Sequence, residues 1–543
     1  MRVQLFLILA MLGVSFTAGA QLPAPGKDTV MKSATIEVIQ AYKPQVKQAP
    51  KPEWVPQLPP PDTTHTAVNY DDVPQQSLYF TYTSLPLHPL ALGKDVLPLP
   101  FQDYIKLGAG NLNTIFLDAG IGAVHGKDYE TYIHLHHLSQ KGDITNQQTA
   151  LSGIEAEGLL HKDYSDWHAS ISGERNQYYY YGYNHDYYSY SSDSVKQTYT
   201  TIRATVDMKN KDASSQFSYH PGISASLYNA AMNTSETNFG FDVPLAYKFD
   251  NSLQAQVALT GAVTNLQANS ISTNNNYVEL LPGFSFDNNV FKGHALLGLA
   301  AGKDGKNYIL PDILAAYTLP GTGSTIFAGI QSTLRQNTYE QLTTENPYIF
   351  NNYQVMQTSK AEYFAGVQGG AGDHFTYSAR ISYWDYQELP TFLNDSGDQK
   401  QFRIVYDDNV NALSFQLAAR YKVANNWSAG LTGDIYHFNN GTQPYVWGEP
   451  GTKIKGDFSF MPSPKFTVTA YLALMGGIWA KDSFGNTIKL NTFTDLGGNA
   501  EYQIVPRISV FLQVNNILND KYQRWLGYQA YGINIYGGLR LKF

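Results

Sequence analysis

Four side chains of metal-ligating type fall close together in the chain: His134, His136, Glu157 and His168. His134 and His136 are two residues apart, so on an extended strand they share a side with Tyr132 while Ile133 and Leu135 take the other. Glu155 and Glu157 alternate in the same way with Ile154 and Ala156, and Asp166, His168 and Glu174 alternate with Trp167, Ala169 and Ile171. A turn at Lys162-Asp163 pairs residues whose numbers sum to 325, which sets Glu157 opposite His168. Imidazole and carboxylate are zinc and copper ligands. They are also ordinary lining for a polar barrel interior, and that is how we read them: the sequence predicts no metal centre and no cofactor. Asn394-Asp395-Ser396-Gly397-Asp398 lacks the acidic spacing and distal Glu of a calcium loop and reads as a surface turn. Neither H-E-x-x-H nor G-x-S-x-G occurs, Gly222-Ile223-Ser224-Ala225-Ser226 missing its last glycine, so no enzyme is expected.

A second concentration is aromatic. Tyr178, Tyr179, Tyr180, Tyr181, Tyr183, Tyr187, Tyr188 and Tyr190 crowd one strand end and the loop after it. Tyrosines at such a height form the girdle at a membrane interface or pack the loops. They also suit a docking surface for carbohydrate or protein, because Tyr offers large amphipathic contacts at low entropic cost. The girdle and loop-packing reading is the simpler one.

The elements that must carry these side chains are strands. Of the 543 residues none is Cys, 40 are Tyr, 45 are Gly and only 15% are charged. The formal charge of −8 gives no support to nucleic-acid binding. Beyond the N-terminus no apolar run is long enough for a membrane-spanning helix. From Tyr104 onward a period of two recurs. Phe415, Leu417, Ala419, Tyr421 and Val423 alternate with polar or small residues, as do Ile508, Val510, Leu512 and Val514. The last run reads as one strand with Tyr531, Ile533, Ile535, Leu539, Leu541 and Phe543 on a single face. Runs of nine or more alternating residues match tilted strands that cross a bilayer. Ten short polar turns can be placed, at 126–128, 161–163, 209–212, 250–251, 287–289, 320–323, 372–374, 424–426, 462–464 and 505–506. With both ends of the barrel on one side, ten turns join eleven hairpins, which predicts an all-β transmembrane antiparallel barrel of about 22 strands. The opposite connections are mostly longer, as at 179–196, 337–358 and 389–400, except for a tight first hairpin at Asn111-Leu112.

What precedes the barrel differs in kind. Met1 to Ala20 has the charged start, apolar stretch and Ala18-Gly19-Ala20 site of a secretory signal, leaving Gln21 as the mature terminus. Residues 21–103 hold 14 of the 26 prolines, so this stretch cannot be regular sheet and reads as an extended proline-rich arm. The predicted domains are thus a signal at 1–20, an arm at 21–103 and a barrel at 104–543.

At Val514-Asn515-Asn516-Ile517-Leu518-Asn519-Asp520-Lys521-Tyr522, followed by Gly537-Gly538 and Phe543, the sequence resembles the last hairpin of TonB-dependent receptors. Tyr104-Ile105-Lys106-Leu107-Gly108-Ala109-Gly110-Asn111 is similar to the first barrel strand of a branch that lacks the family's folded plug. The resemblance implies that Tyr531 and Phe543 belong to the C-terminal signal read by the barrel assembly machinery. It also implies that Thr35, Ile36, Glu37, Val38 and Ile39 resemble the TonB box offered to an energising partner. The stretch before the barrel is shorter than the family's plug and too rich in proline to fold as one. A 22-stranded barrel without a plug would leak, so we expect the arm, the loops or a partner protein to occupy its lumen. On that departure we read the chain as a binding and scaffolding subunit of an outer-membrane complex of a Gram-negative bacterium. Lipopolysaccharide would surround it, protein partners would engage it, and its arm and C-terminus would face the periplasm. The alternative is a transporter or gated channel for a solute.

Overall fold

A computed structural model describes residues 103–543 apart from 123–125, 127, 212–214, 270, 351–353, 424–425 and 440. The expected signal, all but the last residue of the expected arm and the Thr35–Ile39 segment lie outside the described residues. Twenty-two strands follow one another as antiparallel neighbours from Tyr104–Gly110 to Asn534–Lys542, and these two pair with each other to close the ring. Two further short strands, Phe217–Tyr219 and Ile271–Asn274, extend the sheet without interrupting that order.

Nine of the ten expected turns stand at one end of the barrel as connections of two to seven residues; the tenth, expected at 209–212, is an eleven-residue connection that carries the strand Phe217–Tyr219. Their residues explain the tightness. Asp250 Oδ1 accepts the backbone N–H groups of Ser252 and Leu253 at 2.7 and 2.8 Å, and Asn288 Oδ1 accepts that of Phe291 at 2.7 Å. At Pro320-Gly321-Thr322-Gly323 both glycines take positive φ, 73° and 65°, which the two-sided bend requires. The other end carries the long connections, 180–195, 337–356, 388–409, 440–451, 477–492 and 516–533.

Along each strand the apolar set faces outward. Leu413, Phe415 and Leu417, or Leu539 and Leu541, are exposed although they are the most hydrophobic residues of their strands. That arrangement is stable only where the surroundings are hydrocarbon, and the closed ring leaves no edge of unpaired backbone in it. The main apolar core therefore lies elsewhere, among the long loops and the strand ends that meet them, where buried side chains from 178 to 528 form one cluster.

Two details of register differ from the sequence reading. In the hairpin Gln148–His161/Ser165–Tyr179, Glu157 faces Ser170, and His168 faces Leu159. The turn spans three residues, closed by Lys162 N–H to Ser165 O at 2.9 Å and by the His161 and Asp166 side chains at 2.7 Å, so every pair shifts by two. The last strand begins at Asn534, leaving Tyr531 and Ile533 in the preceding loop. Side chains take the backbone donors there. Asn519 Oδ1 accepts Ile533 N–H at 2.8 Å and Asn111 Oδ1 accepts Ile535 N–H at 2.7 Å, which draws the chain out of the ladder.

Candidate functional site

The eight clustered tyrosines divide by burial. Tyr178, Tyr180, Tyr181 and Tyr183 are buried, Tyr179 and Tyr190 are partly buried, and only Tyr187 and Tyr188 are exposed. The buried rings touch neither lipid nor open solvent, so they form no interfacial girdle and offer no docking surface. They pack loops against loops. Tyr180 Oη donates to the carbonyl of Ile349 at 2.9 Å, Tyr181 Oη to that of Gln529 at 2.8 Å and Tyr199 Oη to that of Pro347 at 2.7 Å. Tyr348 stacks on Tyr528 with centroids 3.5 Å apart, and Tyr181 meets Tyr528 edge-on at 4.9 Å. Phe392, Phe402 and Trp525 continue the cluster.

Topology says where this core sits. Counting from Tyr104–Gly110, Ser165–Tyr179 is the fifth strand and Val410–Val423 the sixteenth, half a turn of the ring away. Yet the loops leaving them are joined, Tyr190 Oη donating to Asp398 Oδ2 at 2.6 Å. Loops from opposite walls can meet only by crossing the mouth. The loops 180–195, 388–409 and 516–533, with the described residues of 337–356, thus form a packed cap over the lumen, built round one apolar core.

The cap has a rigid member, the helix Tyr339–Glu345. Thr338-Tyr339-Glu340-Gln341 is a capping box, in which Thr338 Oγ1 accepts Gln341 N–H at 3.1 Å and Gln341 Oε1 accepts Thr338 N–H at 3.4 Å. Glu236, from the barrel wall, accepts the N–H groups of Tyr339 and Glu340 at 2.7 and 3.2 Å, placing a carboxylate on the positive end of the helix. Arg203 of the wall reaches Glu340 at 2.7 Å. At the other helix end, burial and the neighbouring Glu449 push the Glu345 carboxyl up to about 7, against the pull of Arg335, whose guanidinium lies 3.6 Å away, and Arg524.

The histidines and carboxylates lie on the lumen wall, on the side opposite the exposed Ile154 and Ile171. His134 pairs with Asp118 at 3.0 Å, and Asp118 also accepts Tyr104 Oη at 2.6 Å. His136 lies over Gly153, its cross-strand partner, where a Cβ would come within 2.3 Å of the ring. His168 turns to Asp207 at 2.9 Å, whose other oxygen binds His220 at 3.0 Å; Glu157 is 3.9 Å from His168. His134, His136, Glu157 and His168 are therefore spread over separate pairs. Among the described residues no three such groups gather to hold a metal ion. In the loop 394–398, Asp398 is taken by Tyr190 and Lys400, and Asn394 Nδ2 donates to Leu526 O at 3.3 Å. Sequence reasoning missed Glu236 and Asp207, which carry no motif, and the helix that Glu236 helps to place.

The stretch that carries the family resemblance is a clamp on the last loop. Asn516 Nδ2 donates to the carbonyls of Asp520 and Tyr531, both at 2.8 Å, and its Oδ1 accepts Asp520 N–H at 3.0 Å. Tyr531 Oη meets Thr149 Oγ1 at 3.2 Å, and Phe543 N–H donates to Asp103 O at 3.1 Å while its ring stays exposed.

A closed ring of 22 antiparallel strands, with short turns at one end and long interlocked loops at the other, has the fold of the TonB-dependent receptor barrels. No protein-family model matches the chain, and no curated protein is similar to it in sequence. Solved structures are. The FrpB iron transporter from Neisseria meningitidis (F3-3 variant) superposes with a TM-score of 0.63 at 10% identity over 81% of each chain. The copper transporter OprC gives 0.59 at 10% identity over 82% of each. The ferric yersiniabactin uptake receptor FyuA from Yersinia pestis gives 0.58 at 12% identity over 81% of this chain and 80% of its own. At such identities the likeness is one of fold.

Proposed function

We propose that the protein is an outer-membrane transporter of a Gram-negative bacterium, and that the loop cap is its gate. The turn end, with the C-terminus, faces the periplasm and the cap faces outward. The observation that carries this reading is the aromatic core joining loops from opposite walls across the mouth. It supplies a closure of the lumen that is separable from the barrel and can open without breaking a ladder. The likeness to iron and copper transporters favours passage of a solute over scaffolding. The cargo class is a metal-bearing solute. Imidazole–carboxylate pairs such as His134–Asp118 and His168–Asp207–His220 line the route, where they would contact cargo in transit without trapping an ion.

Planar-bilayer recording of the intact protein tests the gate. Wild-type protein should show rare openings, and removal of 337–356 should give steady large ones. Porin-like conductance of the wild type, or a loop-deleted barrel that stays closed, would sink the proposal. Uptake of labelled ferric chelate by cells carrying and lacking the gene tests the cargo class.

A further inference from the structure

Charge is divided across the lumen. Along each strand the side chains that alternate with the exposed apolar set face inward, and their ionisable members are sorted by side of the ring. The eleven strands from Ile115–Ile121 to Asn307–Leu319 turn twelve carboxylates and four Lys or Arg toward the lumen. The remaining eleven, from Ser324–Gln336 round to Tyr104–Gly110, turn ten Lys or Arg and five carboxylates toward it. Each set is consecutive in the ring, so each is one half of the wall.

Pairing inside each half leaves both excesses standing. On the acidic half, Arg203 is committed to Glu340 of the cap, and Lys209, Lys248 and Lys292 stand within two residues of the turn end of their strands. Glu174, Asp242 and Glu279 lie further up the wall and form no salt bridge among the described residues. On the basic half, Glu362, Asp457 and Glu501 are taken by Arg380, Arg420 and Arg540 at 2.5, 2.9 and 3.4 Å, while Lys360, Lys453 and Lys455 form no salt bridge among the described residues. Lys453 and Lys455 belong to the eighteenth strand, Thr452–Ser463. Across the ring from it stands the seventh, Gly222–Ala230, with Asp242 on the eighth and Glu174 on the fifth. Uncommitted cations thus face uncommitted carboxylates across the lumen.

Opposed walls of opposite sign set up a field that runs across the route, reaching about 10 Å from each wall at 0.1 M salt and about 30 Å at 0.01 M. Such a field holds a simple cation at one wall and repels it from the other, and treats an anion in the opposite sense. A solute with separated charges is turned by it and held at both ends. We propose that the cargo is zwitterionic, an elongated solute with cationic groups at one end and carboxylates at the other. It lies across the lumen with the first toward Glu174 and Asp242 and the second toward Lys453 and Lys455. The proposal rests on the transporter reading and adds to it the charge pattern of what is carried. A chelated metal in such a solute leaves these outer groups to the walls.

Two isomeric peptides, blocked at both ends, separate the position of charge from its amount: one carries two Lys at one end and two Glu at the other, the second the same residues alternating. Fluorescence anisotropy of each on the full chain, in uncharged detergent at about 0.01 M salt, reads binding without conduction or uptake. An absent preference therefore counts against the charge pattern alone, and bilayer recording still judges the gate. Wild-type protein should bind the segregated isomer at least tenfold tighter, and about 1 M salt should erase the difference. Lys453→Gln with Lys455→Gln, or Glu174→Gln with Asp242→Asn, should bring the isomers level. Lys453→Glu and Lys455→Glu combined with Glu174→Lys and Asp242→Lys should restore the preference. Heat-modifiable gel migration confirms closure of each barrel. Equal binding of the isomers by the wild type, or a preference that survives neutralisation of either wall, overturns the proposal.

Discussion

Tyr528 is the side chain on which the cap converges, and replacing it by Ala gives the most direct measure of closure. Its ring is buried, stacked on Tyr348 and edge-on to Tyr181, and its hydroxyl donates to the carbonyl of Lys400 in a third loop. Truncating a buried aromatic costs about 3–5 kcal/mol. Part of that is the two ring pairs, worth about 0.5–1.5 kcal/mol each, and the hydrogen bond, worth about 1 kcal/mol. All of these contacts are within the cap, so the loss falls on closure and not on the ladders. At about 1.4 kcal/mol per factor of ten, a 4 kcal/mol loss raises the open fraction by roughly a thousandfold. Single-channel recording should resolve this as a rise in open probability at unchanged unitary conductance. Limited proteolysis at 388–409 and 516–533 should accelerate in parallel, with heat-modifiable migration of the barrel unaltered. Tyr528→Ala channels as quiet and as protease-resistant as wild type would refute the assignment of this core as the closure.

Three further outcomes are expected. The Glu345 carboxyl is held up to about 7 against an ordinary 4.5, so the capped state binds a proton that the open state releases. Its contribution is therefore full below about 4.5 and lost as pH rises through 7. Open probability should climb between pH 5 and 8, and Glu345→Gln should flatten that profile. Glu236→Gln removes the carboxylate from the helix start at a cost of about 1–2 kcal/mol, which proteolysis within 337–356 would register as faster cutting. Asn516→Ala strips three hydrogen bonds from a buried clamp, about 1–3 kcal/mol, and should lower the temperature at which the folded band is lost in heat-modifiability gels.

The strands were legible because their signal is local. Alternation along Phe415–Val423 states which residues face hydrocarbon, and Asp250, Asn288 and Gly321 mark bends through their own backbone chemistry, so the chain alone determined 22 strands, the turn end and the loop end. The details that failed are those decided by competing side chains. A three-residue turn moved His168 two places from its expected partner, and Asn519 and Asn111 took the donors that would have carried the last strand back to Tyr531. What only the tertiary structure decided is the use of the tyrosines and histidines. Tyr190 and Asp398 are brought together because closing the ring sets the fifth and sixteenth strands face to face, and no period in the sequence encodes a contact across the mouth. The same closure distributes His134 and His168 to carboxylates on neighbouring strands. A pattern that read as a girdle with loop packing and as polar lumen lining is, in three dimensions, a cap above a wall of separate ion pairs.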